Sequence, residues 1–346
     1  MPDTVTIAVD AMGGDDAPGV VLEGVEGALS SDPALRVVLC GPGEVVEPFA
    51  AVHERCVARV ASEVIGMAEH PAGAVRAKKD SSIVVGCRLV KEGAADGFFS
   101  AGSTGACLAA GTLVMGRVRG IARPALATVI PSPVRPVVMS DIGANADCKP
   151  EYLVQFGQMA SVYAEKVVGI DRPRAALLNI GEEDTKGSQF AQEAHRLMKE
   201  RLENFAGNAE GGDILSATFD VIVTDGFTGN VCLKTIEGTS KTLFKALKDV
   251  MLGTLATKLG ALALKGGLKE LMTQVSPDTY GGAPLLGVRG ALLVGHGSSS
   301  ALAIRNGVLT TARIARADVA GVIARTAGGG FSSASGPGSG LIGGTA

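Results

Sequence analysis

Six short segments concentrate the polar residues able to do chemistry: DAMGGDD (10–16), SAGSTGA (100–106), DIGANAD (141–147), NIGEEDTKG (179–187), TDGFTGN (224–230) and VGHGSSS (294–300). In SAGSTGA, Gly102 and Gly105 permit a tight turn, and Ser103 and Thr104 add hydroxyl donors. Such a turn opening a helix leaves N–H groups without intrahelical partners at the positive end of the dipole, which suits a phosphate-sized anion. No lysine follows Gly105, so the nucleotide P-loop pattern is not met. The plainer alternative is that Ser103 or Thr104 only caps the helix.

The other segments pose similar pairs of readings. Asp10 stands before Gly13 and Gly14 in a loop with acids on both sides, which either moves a proton or caps the next helix. Asp141 and Asn145 lie in a turn-rich loop. Asp225 and Asn230 flank Gly226 and Gly229, with Asn230 orienting a substrate group or capping a helix from 231. Asn179 and Lys186 share a loop in which the lysine either neutralises a phosphate or joins a solvated ion pair. His296, between two glycines, is a candidate general acid or phosphate donor. The basic turn Arg76–Ser82 reads as an exposed charged face. Cys107 and Cys148 lack a sequence-adjacent base, so thiol catalysis is not expected.

Short apolar runs precede most of these loops: 5–9, 36–40, 95–99, 126–130, 136–140, 175–179 and 219–224. Helical patterns lie between, at 19–30, 74–92, 105–117, 150–168, 187–204 and 231–249. Strands alternating with helices predict an α/β fold, its sheet largely parallel or mixed and covered by helices on both faces, with ligands at the strand carboxyl ends. Five of the polar loops, DAMGGD, SAGSTGA, SDIGANAD, NIGEEDTKG and TDGFTGN, then form one constellation at strand ends. Residues 97–116 carry no charge, but five glycines with Ser103 and Thr104 predict strand, loop and buried helix rather than a membrane span.

Bulk composition narrows the classes. The chain has 346 residues, a net charge of −3 and no tryptophan, which weighs against nucleic acid. Six cysteines without CxxC spacing predict reduced thiols in a cytoplasmic protein. Four distant histidines show no metal spacing. One catalytic unit is expected over 4–327. Within it, a helical hairpin is expected over about 233–273, with Gly266-Gly267 interrupting its second half. The uncharged Gly/Ser-rich segment 328–346 is expected to be disordered. Residues 241–272 hold six lysines against Asp249 and Glu270, a local charge of +4. Their leucines recur at helical spacing, so the hairpin packs on the core, on a second subunit, or on anionic lipid.

These motifs resemble the phosphate acyltransferases of bacterial phospholipid synthesis. The resemblance rests on AVDAMGGDDAP (8–18), KKDSS (78–82), SAGSTGA (100–106), GIARPALA (120–127), DIGANADCKPE (141–151), SVYAEKVVGI (161–170), LLNIGEEDTKGS (177–188), DVIVTDGFTGNVCLKTIEG (220–238), YGGAPLLG (280–287) and GHGSSSA (295–301). It covers roughly residues 5–327. Ser103 stands where the family usually has Asn, Asp16 where it often has His, and Cys148 where it usually has Ala. The resemblance implies a fold related to phosphotransacetylase and isopropylmalate dehydrogenase. It implies reversible conversion of acyl-acyl carrier protein and inorganic phosphate into acyl phosphate and free carrier protein, with no cofactor. The product would pass to a membrane glycerol-3-phosphate acyltransferase, and the enzyme would be a homodimer in cytoplasm, loosely held on membrane. Combined with the residue reading, this puts phosphate on Ser103, Thr104 and the N–H groups up to Gly105. Asp10, Asp225 or His296 handle the proton, and Asn145, Asn179 or Asn230 orient groups. A metal- and NAD-dependent decarboxylating dehydrogenase on the related scaffold would want clustered arginines and a GxGxxG after the first strand. A membrane-surface scaffold without chemistry would leave the convergent loops unused.

Overall fold

A computed structural model describes residues 4–132, 134–274 and 277–328. The expected tail lies outside the described residues, except Gly328, which closes the last helix.

The first block alternates strand and helix: β1 (Val5–Asp10), α1 (Gly19–Ser31), β2 (Leu35–Gly41), α2 (Gly43–Val52), β3 (Cys56–Val60), α3 (Pro71–Ala77), α4 (Ser82–Lys91) and β4 (Gly97–Ser100). Then α5 (Thr104–Ala110) continues into a π-helical turn, Gly111–Met115. The middle holds β5 (Ala125–Ile130), β6 (Val137–Ser140) and α6 (Pro150–Tyr163), the last extended by a second π turn, Ala164–Val168. There follow β7 (Ala175–Leu178), α7 (Gln189–Arg201), β8 (Phe205–Ala209), α8 (Asp213–Ser216), β9 (Val221–Val223), α9 (Gly226–Leu252) and α10 (Leu255–Gln274). The chain ends on β10 (Ala283–Leu286), β11 (Ala291–Val294), α11 (Ala301–Arg316) and α12 (Val319–Gly328).

All strands join one sheet in the order β3-β2-β1-β4-β11-β10-β5-β6-β9-β7-β8. β3 to β11 form one parallel block, and β6, β9, β7 and β8 a second. Antiparallel pairings of β10 with β11, β10 with β5, and β5 with β6 join them. The central strands are covered on both faces, so they read as unbroken apolar runs: every residue of β4, β6, β9 and β11 is buried.

The structure departs from the sequence expectations in identifiable places. β3, β8, β10 and β11 are strands that the reading above did not assign. The expected helix 74–92 is two helices. Its break at 78–81 is held by Lys78 Nζ donating to Val64 O at 2.8 Å and by Asp80 accepting from Ser62 N and Oγ at 2.9 and 2.6 Å. The helix expected from 231 begins five residues earlier, because Asp225 caps it by accepting from the N–H groups of Phe227 and Thr228. The hairpin turns at Gly253-Thr254, and α10 runs unbroken through Gly266-Gly267. The uncharged run 97–116 is β4, a loop and α5, as expected.

Candidate active site between the two strand blocks

Three loops meet at the carboxyl ends of β1, β4 and β11. Asp10, at the end of β1, is buried. Its Oδ2 accepts from Ser100 Oγ at 2.7 Å and its Oδ1 from Met12 N at 3.0 Å. Ser100 Oγ in turn accepts from Gly102 N at 3.0 Å. A Cβ on Gly13 would stand 2.7 Å from Gly102 N, so only glycine lets these two loops touch. Gly14, with φ +117°, turns the chain so that Asp15 N donates to Gly297 O at 2.7 Å. Gly295 N donates to Ser100 O at 2.8 Å, which ties in the third loop.

This framework aims α5 at the space between the blocks. Ser103 is its N-cap: its buried Oγ accepts from Ala106 N at 3.4 Å. Gly105 lies under Pro71 of α3. Thr104 is exposed, and neither its hydroxyl nor the N–H groups of Thr104 and Gly105 find a partner among the described residues. The anion-ready donors are therefore Thr104 and two backbone amides. Ser103 is occupied as a cap, which is the plainer of its two readings.

A second cluster forms at the ends of β6 and β9. Asp141, fully buried, collects five N–H donors. Its Oδ1 accepts from the backbones of Leu126 (3.0 Å), Gly143 (3.2 Å) and Ala144 (3.0 Å). Its Oδ2 accepts from Asn145 N (2.8 Å) and Nδ2 (2.9 Å). The first turn of α9 packs on this loop: Gly226 N donates to Asn145 O at 2.8 Å, and a Cβ on Gly229 would sit 1.9 Å from Asp141 O. That close approach explains the glycine spacing in TDGFTGN. It places Asn230 at the rim with no partner for its side chain among the described residues.

Between the clusters lies a cleft of about 360 Å³. Thr104, Asn230 and His296, three of the sequence-predicted residues, line it together. His296 Nδ1 accepts from Ser298 N at 3.2 Å and faces Ser298 Oγ at 2.9 Å. That bond assigns the proton of the neutral ring to Nε2, making Nε2 the donor. Lys234 and Glu237 also line the cleft and pair at 2.8 Å. The sequence reading missed both, although Asn230, Lys234 and Glu237 fall on one helical face at i, i+4 and i+7. Leu126, Val129, Ile142 and Leu233 supply an apolar wall.

Several predicted residues stand elsewhere. Asp10 and Asp141 lie beneath the site and bond to the loops that shape it. Burial pushes both carboxyls above their ordinary range, against the hydrogen bonds that favour the charge. Asp225 is spent on capping α9. Asn145 is spent on Asp141 and on Pro124 O, to which its Nδ2 donates at 2.8 Å. Asn179 closes its own loop by donating to Lys186 O at 3.2 Å, and Lys186 stands 3.8 Å from Glu183. That loop is anchored to α7 by His195 and Lys199, both on Asp184, and lines no part of the cleft. The six segments thus make two clusters facing a cleft and one loop apart, not a single constellation. Cys107 is buried and its thiol is pushed up to about 12; Cys148, half-buried, to about 11. Neither is a nucleophile at neutral pH.

The fold is that of the phosphotransacylases. A phosphotransacetylase from Streptococcus pyogenes superposes with a TM-score of 0.58 at 17% identity, covering 90% of this chain and 94% of that one. A branched-chain phosphotransacylase from Enterococcus faecalis V583 gives 0.57 at 12% identity, covering 90% and 99%. In sequence, the family described as "Fatty acid synthesis protein" matches residues 5–322. A phosphate acyltransferase of Desulfitobacterium hafniense (strain Y51) is 49% identical over 308 residues, 87% of this chain and 91% of the relative. One of Bacillus licheniformis is 44% identical over 318 residues, covering 92% and 96%. The chain belongs to this phosphate acyltransferase family; it is an enzyme of acyl transfer involving phosphate.

Proposed function

We propose that the chain converts acyl-acyl carrier protein and inorganic phosphate into acyl phosphate and free carrier protein, for use by a membrane glycerol-3-phosphate acyltransferase. The observation that carries this reading is the cleft itself: Thr104, whose hydroxyl has no partner among the described residues, lines it with His296 and Lys234 beside an apolar wall. Phosphate sits on the Thr104 hydroxyl and the two free amides, and Lys234 turns from Glu237 to neutralise it. No enzyme nucleophile is required, because phosphate is one. Its oxygen bonds to the thioester carbonyl carbon, the C–S bond breaks, and the departing sulfur takes the proton that the attacking hydrogen phosphate gives up, while His296 Nε2–H donates a hydrogen bond to the charge that develops. Asn230 orients the carbonyl. Holding both reactants at one place, with donors aimed at the developing charge, supplies the catalysis. The buried Asp10 and the capping Asp225 have no place in the proton path.

The hairpin α9–α10 carries exposed Leu243, Leu247, Val250, Leu255, Leu259 and Leu262. Its role in this reading is to cover a second copy of the chain, with an anionic bilayer as the competing partner. Among the described residues, no helix is long and apolar enough to cross a membrane.

Purified protein given acyl-carrier substrate and phosphate is expected to yield acyl phosphate, trapped as the hydroxamate, and one free thiol per turnover. Thiol release without acyl phosphate overturns the reading.

A further inference from the structure

A second hollow, of about 550 Å³, adjoins the cleft. The same elements wall both. Thr104 of α5 lines the cleft, and Leu108 and Thr112, one and two turns on, line the second hollow. Leu126 and Gly143 line the cleft, Pro124 and Ala144 the hollow. From Thr104 to Thr112 the helical rise is about 12 Å, and from Pro124 to Thr128 the strand advances about 13 Å. The two hollows are thus successive stretches of one groove along a face of α5.

The far stretch differs in charge. Arg117, Arg123 and Tyr152 line it together. Arg117 donates to Ala122 O, and Arg289 Nε donates to Arg117 O at 3.0 Å, so the loop that carries Arg123 is pinned. Arg123 is exposed and has no hydrogen bond or ion pair among the described residues, and neither Arg117 nor Arg289 meets a carboxylate there. The Tyr152 hydroxyl is likewise without a partner among them. Guanidinium groups held without counter-charge in a concave site are suited to a phosphate oxygen.

Resting on the function proposed above, we propose that this stretch binds the phosphodiester of the substrate's phosphopantetheine arm, with Arg123 as its specificity-determining residue. The arm carries its thioester at one end and its phosphodiester at the other. With the thioester between Thr104 and His296, the arm lies along α5 over Leu108 and Leu285, and its phosphate reaches Arg117 and Arg123. The anion at Thr104 is then the reacting phosphate, and the anion at Arg123 belongs to the donor.

The test compares wild type, Arg123→Ala and Arg123→Lys on donors bearing one acyl group: acyl-carrier protein, acyl-phosphopantetheine and acyl-pantetheine, which lacks the phosphate. Arg123→Ala is expected to raise KM about tenfold for the two phosphorylated donors, the loss of one charge-assisted contact. Turnover at saturation and KM for inorganic phosphate stay unchanged, acyl-pantetheine is handled equally by both proteins, and Arg123→Lys restores part of the loss. Equal KM on the phosphorylated donors, or the same loss on acyl-pantetheine, overturns the assignment. A loss confined to acyl-carrier protein, absent with acyl-phosphopantetheine, also overturns it, since Arg123 would then meet the protein surface instead of the arm. Wild type that makes no acyl phosphate from any donor overturns the underlying function instead.

Discussion

Two buried aspartates sit at matching places, Asp10 ending β1 in one strand block and Asp141 following β6 in the other. Both are shielded from water and both shape a loop of the cleft, yet their surroundings differ in kind. Asp10 meets one backbone N–H and the hydroxyls of Ser100 and Ser82, each able to donate or accept. Asp141 meets five N–H groups, and the one amide among them that could turn, Asn145, is held by donating to Pro124 O as well. The first loop is held by a polar contact that adapts, and it presents Thr104. The second is locked by donors alone, and it positions α9 with Asn230 and Lys234. A buried carboxylate is thus tolerant or intolerant of neutralisation according to its donors, not its depth.

The largest effect is expected from Asp141→Asn. Whichever way the amide turns, its NH₂ faces at least two N–H donors, leaving buried donors without acceptors. Destabilisation of about 3–5 kcal/mol follows, read as the fall in unfolding midpoint in urea. A change below about 1 kcal/mol would show that the donors relax and would erase the contrast between the clusters.

Thr104→Val keeps the shape and removes the hydroxyl. About 3 kcal/mol of barrier, near a hundredfold in kcat/KM for phosphate, is expected with the fold intact. Wild-type phosphate kinetics would move the anion from the first cluster to the second, where Asn230→Ala would then carry the loss.

Asp10→Asn is expected to cost no more than about 1 kcal/mol at neutral pH, because Ser100 turns its hydroxyl to accept. Its pH dependence has a definite sign. Burial holds the folded-state pKa of Asp10 above the ordinary 3.8, so the native state retains a proton that the unfolded chain has lost. Stability falls as pH rises from 3.8 to the folded value and is flat beyond. Asn does not titrate, so the stability of Asp10→Asn relative to wild type should rise with pH across that interval. Thermal midpoints of both proteins from pH 3.5 upward check this; a relative stability that falls with pH contradicts it.

The smallest effect on the folded chain is expected at the hairpin. Leu255 is 78% exposed, so Leu255→Glu should leave the clusters and the thermal midpoint unchanged within about 0.5 kcal/mol. Sedimentation with and without anionic vesicles separates the two partners proposed for it: loss of a dimer that wild type forms marks a subunit interface, and loss of vesicle binding alone marks a bilayer contact.

Much of the sheet was legible because buried strands leave dense apolar runs, as at 5–9, 126–130 and 219–224. β10 and β11 were less legible because they are four residues each and stand among Gly281, Gly282, Gly287 and Gly290, and β3 and β8 because they are the partly exposed edge strands of the sheet. The loop residues were legible as chemistry-bearing types but not as partners. Asp10, Asn145 and Asp225 look as reactive in sequence as Thr104 and His296. Their lone pairs and donors are spent locally, on Ser100, Asp141 and the first turn of α9, and only the fold shows that spending. Lys234 and Glu237 escaped notice because they sit within a helix, outside any polar loop.

By itself the sequence determined the alternation of strand and helix, the glycine-bearing loops at strand ends, and a set of motifs specific enough to imply acyl transfer to phosphate. These are local properties: turn chemistry and apolar patterning act over a few residues. The tertiary structure decided that two strand blocks meet through β10 and β5, that Thr104 faces His296 and Asn230, and that Asp141 lies under α9 instead of in the cleft. Those outcomes depend on contacts between residues far apart in the chain, from Asn145 with Gly226 to Thr104 with His296, and no local spacing encodes which donors such contacts consume.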